Sequence, residues 1–133
     1  MAEEIKTDEE QAEEDKTKFL FIMKKSPHGS TYPQEGLEVI LIMAAYDQII
    51  NVLFTDDGVF CLKKGQDTAG IMVKNFSATF KALESYGVEH LYVDRQSLKD
   101  RGLTEADLLT PVELVDEDEM REFIREQDVI LPF

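Results

Sequence analysis

From Lys18 onward, short apolar runs alternate with longer amphipathic stretches, and this alternation restricts the chain to β-α units more tightly than any other feature. Phe19 to Met23 reads as the first strand. KKSPHGSTYP follows as a turn-rich loop, with Ser30 or Thr31 available to cap a helix and Pro33 suited to its first turn. That helix is expected to run to about Tyr46, and Ile49 to Phe54 reads as the second strand. Asp56-Asp57-Gly58 marks a turn, and Val59 to Leu62 is expected to continue as a short extended piece.

Lys63 to Asn75 has two glycines and little periodicity, which predicts a long loop. A second helix fits Ser77 as N-cap and Gly87 as the left-handed residue after its end, with Phe76, Phe80 and Leu83 on one face. Val88 to Val93 predicts the third strand, and Ser97 to Arg101 and Thr104 to Leu109 short helical turns. A fourth strand is expected at Val112 to Val115, an acidic-capped helix at Asp116 to Glu126, and a fifth strand at Val129 to Phe133. Five strands joined by helical crossovers predict a three-layer α/β/α fold with a mainly parallel sheet.

At 133 residues the chain can bury one core and is too short for two ordinary domains. Residues 1–16 carry eight carboxylates and only two lysines, and predict a disordered acidic tail ahead of a single domain over residues 17–133. The formal net charge of -14 argues against direct binding of nucleic acid, because phosphate contacts need Lys and Arg. No apolar run approaches the roughly 20 residues of a membrane span. With the single cysteine Cys61 there can be no intramolecular disulfide, so the cytoplasm is the expected compartment.

The first helix holds the clearest sign of a partner. From Leu37 to Tyr46 only Glu38 is charged, so Leu37, Val39, Ile40, Leu41, Ile42 and Met43 make it apolar around nearly its whole circumference. One side can lie on the sheet; the natural cover for the other is a second subunit. A central helix overlapped by long loops is the competing explanation.

Chemistry is sparse. The loops after the first three strands bring His28, Asp56, Asp57 and Asp94 toward one sheet edge, where Mg²⁺ or a harder transition metal could bind. Turn formation and strand-end capping account for the same residues. A receiver-like phosphoacceptor does not fit, since the acidic pair follows the second strand and the final strand, VILPF, is not followed by lysine. Phosphate-loop, dinucleotide, hydrolase and zincin motifs are absent from the sequence. Cys61 lies near Lys63 and Lys64, whose charges could favour thiolate, although a cysteine between Phe60 and Leu62 is more often a small buried hydrophobe.

Four strings carry a family likeness: KFLFIMKKSPHGSTYPQEGLEV, LFTDDGVFCLKKGQDTAG, KNFSATFKALESYGVEHLYVDRQSLKDRGL and DVILPF. Together they resemble the DsrF/TusC branch of the DsrE/DsrF/DsrH family over nearly all of the chain beyond the tail, with wording closer to DsrF. The resemblance implies a subunit of a cytoplasmic heterohexamer containing two copies each of DsrE-, DsrF- and DsrH-like chains, which relays sulfur to carrier proteins in sulfur oxidation. In such complexes the persulfide-carrying cysteine belongs mainly to the DsrE-type subunit, just after its third strand. The matching position here is Asp94, and a carboxylate cannot accept sulfane sulfur. The expectation is therefore a non-catalytic structural subunit that needs no cofactor or metal. The alternatives are a TusC-like subunit of the relay for tRNA 2-thiouridine, and a persulfide carrier acting through Cys61.

Overall fold

The structure is a computed structural model and describes residues 16–26, 32–46, 48–64 and 90–133, together with Thr7, Leu83, Ser85, Gly87 and Val88. Most of the expected acidic tail, His28, the loop from residue 65 to 75 and most of the expected second helix lie outside the described residues.

In β1 (Lys18–Met23), β2 (Ile49–Phe54) and β3 (Leu91–Asp94), successive side chains point to opposite faces, as a pleated strand requires. Phe21, Met23, Val52, Phe54 and Val93 enter one large core, and Leu20 and Leu53 enter a smaller one on the opposite face. With β4 (Glu113–Val115) and β5 (Val129–Pro132) the sheet has the order β4-β3-β2-β1-β5, and all four pairings are parallel. The expected α/β architecture is therefore observed.

Handedness assigns the layers. From β1 to β4 each step runs the same way across the sheet, so right-handed crossovers place the intervening helices on one face. Accordingly Leu37 and Ile40 of α1 (Tyr32–Ala44) and Leu98 of α2 (Arg95–Asp100) join the large core. The last crossover returns from β4 past the whole sheet to β5, which sends α3 (Glu117–Arg125) to the other face. There Met120, Phe123 and Ile124 cover Leu20 and Leu53. Asp116 caps α3 with a reciprocal bond: its carboxylate accepts the Glu119 N–H at 3.0 Å, and Glu119 accepts the Asp116 N–H at 3.4 Å.

Three expectations need correction. The segment around Val59 to Leu62 is not extended but part of a 3-10 helix, Asp56–Leu62, that buries Gly58, Val59, Cys61 and Leu62. The i, i+3 pair Val59 and Leu62 satisfies the three-residue repeat of that helix, and a short apolar run does not distinguish the two forms. Pairing of β3 begins at Leu91 rather than Val88. Val88 instead donates its N–H to the Leu83 carbonyl at 3.1 Å, a bond that spans the left-handed Gly87 at φ 92°. Finally, α1 ends at Ala44, and Ala45 and Tyr46 close it with tighter bonds back to Ile42 and Met43.

Close backbone approach locks the carboxyl ends of β1 and β2. The Thr55 N–H donates to the Met23 carbonyl at 3.0 Å, and a Cβ added to Gly58 would lie 1.8 Å from that same oxygen. Only glycine fits there. A Cβ on Gly36 of α1 would meet Met23 Sδ and the Phe133 ring at 3.0 Å, so the helix sits tightly over the end of β1.

Candidate functional site

In a parallel sheet, ligand crevices open at strand carboxyl ends where neighbouring connections leave on opposite faces. Here that place lies between β3 and β4, because α2 follows β3 onto the large-core face and α3 follows β4 onto the other. A cleft of about 510 Å³ occupies it, lined by Asp94, Arg95, Gln96, Lys99, Asp116, Glu117 and Met120.

Asp94 is fixed by its neighbours. One carboxylate oxygen accepts the Gln96 N–H at 3.2 Å and caps α2; the other accepts the Ser97 hydroxyl at 2.6 Å. Ser97 is buried, and its oxygen accepts the Asp56 N–H at 2.9 Å, tying the end of β2 to the start of α2. Asp57 receives Arg101 Nε at 3.1 Å, and Arg101 also donates to the Ser97 carbonyl at 3.2 Å. Asp56 stands at φ 51°, a left-handed conformation that aspartate tolerates better than most residues.

The sheet edge thus brings Asp56, Asp57 and Asp94 into one network, while His28 lies outside the described residues. The network is made by Ser97 and Arg101, which sequence reasoning did not single out. Their signal was present in the S-L-x-x-R spacing, which puts both one helical turn apart behind Asp94. Among the described residues no group of three or more His, Cys, Asp or Glu side chains is placed to hold a metal ion. Across the cleft, the Asp116 carboxyl is held below its ordinary range, first by the Glu119 N–H and also by the nearby Arg95 charge. Arg95 and Lys99 offset three carboxylates, and the described lining contains no thiol or hydroxyl nucleophile.

Cys61 is elsewhere. It is wholly buried in the large core, with its thiol against the Lys25 carbonyl at 3.6 Å. Burial pushes its pKa up to about 12, so desolvation outweighs any help from Lys63 and Lys64. The thiol is therefore expected to resist iodoacetamide in the folded protein at neutral pH and to alkylate readily in urea. Rapid native alkylation, read by mass spectrometry, would contradict the burial. The same shift has a pH consequence. The unfolded thiol ionises near 9.0 and the folded one only near 12, so its contribution is complete below the lower value. It is lost as pH rises through that interval. Cys61→Ala should cost about 1 kcal/mol at neutral pH and flatten the alkaline decline in stability.

A family model described as the DsrE/DsrF-like family matches residues 17–133. This chain belongs to that family. Among its relatives, an intracellular sulfur oxidation protein DsrF from Allochromatium vinosum is 44% identical over 130 residues, covering 87% of this chain and 96% of the relative. A Protein TusC homolog from Vibrio vulnificus strain CMCP6 is 37% identical over 117 residues, covering 88% and 99%. The ychN protein from E. coli superposes with a TM-score of 0.77 at 18% identity, covering 88% of this chain and 99% of that one. MTH1491 from Methanobacterium thermoautotrophicum gives 0.61 at 20%, covering 87% and 99%. The two structures establish the fold of this DsrE/DsrF-like chain, and the two relatives place it in the sulfur-relay family on the DsrF/TusC side. No described helix is long and apolar enough to cross a membrane.

Proposed function

We propose that this chain is a non-catalytic structural subunit of a DsrEFH-type sulfurtransferase complex in cytoplasmic sulfur oxidation, assembled with DsrE-like and DsrH-like partners as two copies of each. The carrying observation is Asp94: at the strand end where the family's carrier cysteine is expected, it is a carboxylate with both oxygens committed to holding α2. The exposed apolar stripe of α1 supports assembly. Leu37 and Ile40 face the sheet, Val39, Leu41 and Met43 are half-buried, and Ile42 and Tyr46 are exposed at 58% and 68%. The greater likeness to a DsrF, at 44% against 37% for a TusC homolog, favours sulfur oxidation over the tRNA-thiolation relay. Burial of Cys61 argues against a carrier role for its thiol.

The test is reconstitution of the full chain with DsrE-like and DsrH-like subunits, followed by a sulfane-sulfur donor and intact-mass analysis. The expected result is a stable complex in which one added sulfur atom appears on the DsrE-like subunit and none on this chain. A monodisperse monomer that ignores both partners, or persulfide on Cys61, would overturn the proposal.

A further inference from the structure

Among the described residues, the sheet face opposite α1 is only partly covered. Five strands spaced by about 4.8 Å present a face roughly 20 Å wide, whereas the nine-residue α3 is the only helix on it among the described residues and shields about 10 Å. Beside α3, over β3 and the edge strand β4, a groove of about 510 Å³ remains.

Its floor is apolar and aromatic, formed by Tyr92, Val115 and Phe123, with the two rings 4.3 Å apart between centroids. Its walls are acidic. Glu113 projects from β4, and Asp118, Glu122 and Glu126 recur at every fourth position along α3, a stripe about 12 Å long. No lysine or arginine lines the groove among the described residues. The basic side chains that touch the walls do so from the exposed rim: Arg125 on Glu122 at 3.2 Å, Arg121 near Asp118 at 3.9 Å, and the His90 ring on Glu113 at 2.9 Å. The Tyr92 phenol is held above its ordinary range by burial and then by Glu113 and Glu126, which reflects the negative field over the floor.

We infer that this groove is a second docking surface, which receives a cationic amphipathic helix from a partner protein. Arginine or lysine at every fourth position of such a helix meets the Asp118, Glu122 and Glu126 stripe, and its aliphatic side chains cover Tyr92 and Phe123. An arginine over either ring adds a cation–π contact. A second copy of this chain is a poor occupant, because 28 acidic against 14 basic residues make two copies repel. The groove and α1 lie on opposite faces of the sheet, so both can be occupied at once. The inference goes beyond the proposed subunit role and does not require it.

The probe is a fluorescent alanine-based helical peptide with arginine at every fourth position and leucine beside each arginine. It is titrated into the full chain by anisotropy, with amide shifts mapped in parallel. Wild type should bind saturably, with shifts centred on Tyr92, Glu113 and Phe123. Glu113→Gln combined with Glu122→Gln and Glu126→Gln should weaken binding about tenfold or more. Glu38→Gln combined with Asp100→Asn and Glu105→Gln makes the same change in net charge away from the groove and should alter binding less than about twofold. Equal weakening by both sets, shifts centred elsewhere, or absence of saturable binding would overturn the inference.

Discussion

Gly58→Ala is expected to destabilise the chain by about 4 kcal/mol or more, a large part of the roughly 5–15 kcal/mol that holds a domain of this kind together. The added Cβ would lie 1.8 Å from the Met23 carbonyl oxygen and 2.5 Å from its carbon. That oxygen cannot withdraw freely, because it accepts the Thr55 N–H and the chain beyond it is pinned where Lys24 donates to the Phe133 carbonyl at 2.7 Å. Relief requires parting β1 from the 3-10 helix, which exposes Val59 and Leu62. A urea midpoint lowered by about 2 M is the expected reading, or failure to accumulate as folded protein. Gly87→Ala supplies the contrast: nothing lies within 4 Å of its added Cβ, and only the positive φ is strained. It should cost about 1 kcal/mol. A Gly58→Ala midpoint within about 0.5 M of wild type would refute the steric account.

Ile42→Asp is expected to act the other way, sparing the chain and breaking the proposed complex. Ile42 is 58% exposed on the outward side of α1, and isoleucine and aspartate differ little in helix propensity, so the change in stability of the isolated chain should stay within about 0.5 kcal/mol. In an assembled interface the same carboxylate would be desolvated without a cation. A loss of about 2–4 kcal/mol, or roughly 30- to 1,000-fold in affinity, is expected in calorimetry or native mass spectrometry with DsrE-like and DsrH-like subunits. A variant that assembles with unchanged affinity would show that the outward stripe of α1 is not the contact. Unfolding of the isolated variant would show that Ile42 belongs to the core.

The elements that the sequence made legible are those whose apolar period is long or whose caps are chemically explicit. Phe19 to Met23 and Ile49 to Phe54 are near-continuous apolar runs, as strands covered on both faces of a parallel sheet are, and Asp116 with Glu119 announces the start of α3. Val59 to Leu62 was opaque because four apolar residues fit a strand and a 3-10 turn equally well, and the choice is made by β1 approaching Gly58. Gly58 itself reads as a turn glycine, yet the positive φ belongs to Asp56, and Gly58 supplies room rather than rotation. At the candidate site, Asp94 and the aspartate pair were visible as residue types. Their association was not, because it depends on the Ser97 hydroxyl and Arg101 from an element that pattern reading marked only as a helical turn. Asn51, buried in β2 and bonded to Gln127 at 3.2 Å, was hidden for the same reason: its partner lies 76 residues away.

The position of β5 has a cost during synthesis. β1 is paired on one side by β2 soon after both are made, but its other neighbour is β5, and Lys18 meets its partner Asp128 across 110 residues. At about 5–20 residues per second, the second edge of β1 waits roughly 5–20 s on the ribosome with its backbone unpaired and Phe19 and Phe21 incompletely covered. A nascent chain of this kind presents a sticky strand for most of its translation, so its yield in the cell should depend on chaperone supply more than its final stability would suggest.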